Sequence, residues 1–65
     1  MKTHVITGAN SGIGFEAVRA LARQGERVIM AVRDLSRGEA ARTKVLAEVP
    51  GAELALERVD LLDLD

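Results

Sequence analysis

Two hydrophobic periods alternate along the chain. Thr3 to Ile6 is a short apolar and β-branched run that stops at Thr7-Gly8, the pattern of a buried strand entering a tight turn. From Gly12 the spacing changes: Ile13, Ala17 and Leu21 recur every four residues with Val18 and Ala22 beside them. This predicts one apolar stripe on a helix, with Arg19 and Arg23 on the wet side and Gly25 closing the end. Val28 to Val32 is apolar without alternation, as expected of a central parallel strand covered on both faces. Asp34 and Ser36 are alternative caps for a second helix, and Ser36 with Glu39 has the spacing of a capping box. Ala40, Ala41, Val45, Leu46 and Val49 supply its inward face, and Pro50-Gly51 ends it. Glu53 to Val59 predicts a third strand, less apolar than the second because of Glu57 and Arg58 and therefore nearer an edge. Leu61, Leu62 and Leu64 read as the approach to a further helix.

Strand, helix, strand, helix, strand with short connections is an α/β pattern, two right-handed crossovers on a parallel sheet with strand order 3-2-1. Crossovers of one hand moving in one direction place both helices on the same face. The other face is then bare and the first strand has an open edge, an arrangement that invites association. Residues 1–65 are therefore expected to be the N-terminal portion of a doubly wound domain, or a chain that must find a partner.

Composition narrows the function classes. A chain of 65 residues buries only about 60% of its unfolded surface, so it forms one domain at most. The formal net charge is −1 and basic residues are scattered among acids, unlike the clustered footprint of a nucleic-acid binder. No apolar run approaches the ~20 residues of a membrane span, and no secretory leader opens the sequence. Cysteine is absent, which removes disulfides and thiolate metal sites and makes a cytoplasmic location the expectation. Tyrosine is absent too, so these residues supply no phenolic acid or base.

The most informative segment is TGANSGIG, placed between the first strand and the first helix. Gly8 allows a sharp reversal, Gly12 lets backbone approach a pyrophosphate, and Gly14 removes a side chain where helix meets strand. The amides of Ser11, Gly12 and Ile13 would point at phosphate from a helix N-terminus. The same glycines also suit a plain strand-to-helix turn. A Walker phosphate loop is excluded, because Ile13-Gly14-Phe15 offers no lysine.

Thr7 through Gly14 resembles the Thr-Gly-x-x-x-Gly-x-Gly signature of classical short-chain dehydrogenases/reductases. Ala31-Val32-Arg33-Asp34 and Asp60-Leu61 extend the resemblance toward the retinol-dehydrogenase-like and protochlorophyllide-reductase-like subgroup, over the whole chain. The resemblance implies a Rossmann-type, partial dinucleotide-binding domain in which Gly8, Asn10, Ser11, Gly12, Ile13, Gly14, Arg33, Asp60 and Leu61 hold a nicotinamide dinucleotide. Asn10 would order the turn, and the Asp60 carboxylate would contact the adenine amino group. Ser11 is either a phosphate ligand or a helix cap.

Two readings compete for the cofactor. Counting about 20 residues from the last motif glycine points to Asp34 as an NAD-selecting acid. The family pattern instead places that acid at Val32 and an NADP-selecting base at Arg33, which favours NADP(H) over NAD(H) and leaves Asp34 as a cap. The implied protein is an oxidoreductase moving hydride between the nicotinamide and a small carbonyl or alcohol substrate, expected to be a homo-oligomer. Its Tyr-x-x-x-Lys pair is not among these residues. A non-catalytic nucleotide-binding or assembly module is the alternative. His4, inside a strand, is expected to be a packed or edge residue.

Overall fold

The computed structural model describes residues 2–59. Its elements are β1 (Thr3–Thr7), α1 (Gly12–Arg23), β2 (Arg27–Val32), α2 (Leu35–Glu48) and β3 (Leu54–Arg58). The strands form one parallel sheet in the order β1-β2-β3, the expected 3-2-1 arrangement with the longest strand in the middle. Register pairs Ile6 with Met30 and Met30 with Leu56, so these side chains share a face.

That face carries the core. Val28, Met30 and Val32 of β2 are buried against Val18 and Ala22 of α1 and Ala41 and Val45 of α2. Ile6, Leu54 and Leu56 flank them. Both helices therefore lie on one side, as the handedness of the crossovers requires. On the opposite side Val5, Ile29 and Ala55 are register partners, and Val5 is 63% exposed. Among the described residues β2 is thus covered on one face, not two.

The helices differ from expectation in detail. Ile13 is 90% exposed and does not belong to the α1 stripe. It stands in the first turn, and helical side chains lean toward the N-terminus, away from the sheet. Phe15, Val18, Leu21 and Ala22 make the packed face instead. Arg19 stays at the surface, half-buried rather than free in water. Its guanidinium lies 5.8 Å from the centre of the Phe15 ring and 2.9 Å from a Glu48 carboxylate oxygen, joining α1 to the end of α2.

On α2 the cap is Asp34. Its Oδ1 accepts from the Ser36 amide at 2.9 Å and the Arg37 amide at 3.3 Å. The Ser36–Glu39 box does not form, because Glu39 pairs with Arg42 at 3.1 Å. Ala40 is exposed and Leu46 only half-buried, while Gly38, Ala41 and Val45 face the sheet. Gly38 sets the approach of the helix. A Cβ there would lie 2.8 Å from Val32 Cγ2 and 2.9 Å from Leu56 Cδ2. The first turns of α2 consequently sit close over the C-terminal ends of β2 and β3.

Candidate functional site

The turn between β1 and α1 is built from glycines with distinct tasks. Gly8 and Gly12 have φ of 62° and 57°, left-handed values that a side chain disfavours. The Gly8 amide donates to the Ala31 carbonyl at 3.1 Å, which fastens the turn to the end of β2. Ala9 is fully buried in the core and anchors it from beneath, a contribution that no motif position signals. Gly14 sits flush on the turn: a Cβ there would collide with the Gly8 carbonyl oxygen and come within 2.9 Å of the Gly8 carbonyl carbon.

This packing leaves the start of α1 open. The Ser11 amide, expected among the phosphate-facing donors, instead donates to the Gly8 carbonyl at 3.5 Å, closing the turn. The amides of Gly12, Ile13 and Gly14 belong to the first turn, where the helix offers no acceptor, and no backbone carbonyl of the described residues takes them. Ser11 occupies the N-cap in extended conformation, yet its hydroxyl makes no capping bond. No acid lies in the first turn. Free donors, an uncommitted hydroxyl and an uncompensated helix dipole together make an anion cradle, one that fits a dinucleotide pyrophosphate.

A cleft of about 660 Å³ opens beside the turn at the C-terminal edge of the sheet. Thr7, Gly8, Asn10, Arg33, Arg37 and Arg58 are among its lining residues. A smaller hollow shares Asn10 and Arg37 and runs along Ser11, Phe15 and Lys44 between the helices. Arg37 lies four residues after Arg33, in the first turn of α2, but Arg58 arrives only through the pairing of β3 with β2.

The geometry bears on the two cofactor readings. Val32, at the last position of β2, is 1% exposed and packed beneath α2, so no carboxylate enters the cleft there. Asp34 does line the cleft, but its carboxylate caps α2 and lies 3.8 Å from the Arg37 guanidinium. Arg33 has no carboxylate partner among the described residues. Asp60 and Leu61 lie outside the described residues.

His4 is half-buried and within 3.2 Å of Glu26, a carboxylate partner supplied by the chain entering β2 and invisible in the local sequence. The hydrogen bond with His4 holds Glu26 below the usual carboxylate range, against the opposing effect of desolvation. No cluster of three metal-ligating side chains occurs among the described residues, and none of their helices is long and apolar enough to cross a membrane.

Comparison with known proteins gives a consistent result. A family model described as short chain dehydrogenase matches residues 2–65. Retinol dehydrogenase 12 of Bos taurus is 45% identical over 62 residues, which is 95% of this chain and 20% of that protein. The chain thus spans about one fifth of the length of the curated relatives it matches. Among solved structures, YwfH, an NADPH-dependent reductase involved in bacilysin biosynthesis, superposes with a TM-score of 0.88 at 29% identity, covering 95% of this chain and 26% of that one. Menthone neomenthol reductase from Mentha piperita gives 0.87 at 40% identity, covering 95% of this chain and 22% of that one.

Proposed function

The chain belongs to the short-chain dehydrogenase family, with retinol dehydrogenases among its relatives, and from that premise we propose that it binds NADP(H) for hydride transfer to or from a carbonyl or alcohol carbon. The cofactor supplies the hydride chemistry. These residues bind and orient it. The amides of Gly12, Ile13 and Gly14 and the Ser11 hydroxyl receive the pyrophosphate, with Gly8 and Gly14 letting its backbone cradle form. Asn10 orders the turn beside the ribose, and Asp60 and Leu61 contact the adenine.

Arg33 carries the choice of NADP(H). It lines the cleft without a carboxylate partner among the described residues, whereas the competing acid, Asp34, is committed to the N-terminus of α2. A guanidinium fork matches a phosphate in charge and shape but gains little from a ribose hydroxyl. The NADPH dependence of the structurally similar reductase YwfH supports the same reading.

Arg33→Ala in the full chain tests the assignment. Hydrogen bonds to charged groups contribute about 1.5–3 kcal/mol, so NADPH affinity should fall about tenfold to a hundredfold while NADH affinity is unchanged. Equal losses for both cofactors in a binding titration would overturn it.

A further inference from the structure

The cofactor cleft contains a second arginine that the sequence pattern does not single out. Register pairs Arg58 with Val32, and the Val59 amide donates to the Val32 carbonyl at 2.8 Å. The backbone of Arg58 is therefore fixed beside the residue that precedes Arg33. Strand alternation puts Arg58 on the same face as Leu54 and Leu56, the face covered by α2, and Glu57 on the other. Leu56 lies under Gly38 in the first turns of α2. Arg58, two residues further on, emerges where the N-terminus of α2 ends, and it is exposed there.

Three guanidiniums consequently line one cleft: Arg33 from the end of β2, Arg37 from α2 and Arg58 from β3. The one acid among the lining residues, Asp34, pairs with Arg37. Arg33 and Arg58 have no carboxylate partner among the described residues. Like charges held on adjacent strand ends repel one another, and a dianion bound between them relieves that repulsion in a way that a neutral hydroxyl cannot. Resting on the NADP(H) reading above, we infer that Arg58 is a second cofactor-selecting residue, which contacts the 2′-phosphate of NADP(H) from the β3 side of the cleft while Arg33 contacts it from β2.

The test compares NADPH and NADH titrations of the full chain for wild type, Arg58→Met and Arg33→Ala. Met keeps much of the apolar stem and removes the charge. Arg58→Met should lower NADPH affinity about tenfold to a hundredfold and leave NADH unchanged, and Arg58→Lys, which keeps the charge without the fork, should fall between. Should the Met variant melt below wild type, the Lys variant carries the test on the same criterion. If the Arg58 variants lose both cofactors equally, or lose neither, while Arg33→Ala remains selective, Arg58 has no such role and the cofactor assignment stands. A wild-type protein that prefers NADH overturns both.

Discussion

The glycines of the turn show how a residue can be constrained by contacts that it does not itself make. Gly14 has ordinary helical geometry, so its backbone alone would accept any side chain. What excludes one is the Gly8 carbonyl, against which a Cβ would collide. Gly14→Ala gains up to about 1 kcal/mol of helix propensity, but it forces the turn and the helix apart, and such overpacking costs about 1–3 kcal/mol. The variant should melt at a lower temperature and, on the proposed placement of the pyrophosphate at these amides, lose NADPH and NADH affinity together. A thermal melt with paired titrations checks this, and selective loss of one cofactor would contradict it. The spacing of Gly8, Gly12 and Gly14 was readable in the sequence because the turn is local. Ala9 was not, since its burial depends on strands and helices that close over it.

Elements were legible where their period was strong, and their faces less so. The change from a short apolar run to four-residue spacing located β1 and α1, but Ile13 shares the spacing without sharing the burial. Periodicity describes a cylinder, and the sheet covers only part of its length. On α2, caps competed: Ser36 with Glu39 has the right spacing, yet Asp34 accepts the first-turn amides and Arg42 draws Glu39 away. The junction between the helices is likewise a product of tertiary structure. Glu48 receives Arg19 at 2.9 Å and Arg23 at 2.8 Å. The hydrogen bond from Arg19 holds the Glu48 carboxyl below its ordinary value, with desolvation opposing, and Glu48 in turn raises Arg19. A carboxyl depressed in the folded state binds fewer protons there than in the unfolded chain. Its stabilisation is complete above the unfolded value, about 4.3, and is lost as pH falls through the folded one. Melting temperature should therefore drop on acidification below that range, and Glu48→Gln should start lower at neutral pH and fall less steeply. Part of the acid sensitivity should survive in the variant, because Glu26 is depressed by His4 in the same sense. Parallel pH profiles for wild type and variant would show that the junction contributes nothing.

At the scale of the whole molecule, the crossovers explain both where the cleft forms and which sheet face is left open among the described residues. Each strand runs toward the same edge, so the glycine turn and the residues following β2 and β3 converge there and form one cleft. The topology was legible from the order of elements, but the meeting of Arg33, Arg37 and Arg58 was not, because parallel pairing joins residues far apart in the chain. Among the described residues, the same handedness leaves one face without cover. Val5, Ile29 and Ala55 run across all three strands as register partners, and Val5 is 63% exposed. Apolar surface of this kind, continuous across a sheet and next to the edge of β1, which has no strand partner on its outer side among the described residues, favours association. Residues 1–65 alone should form dimers or larger species in sedimentation velocity, and Val5→Lys should shift them toward monomer at the same concentration with an unchanged circular dichroism spectrum. Lysine on this strip places a charge where a second sheet would have to pack, and in the monomer its ammonium reaches water. A wild-type 65-residue chain that stays monomeric, or association indifferent to Val5→Lys, would mean that the strip is too small to drive contact.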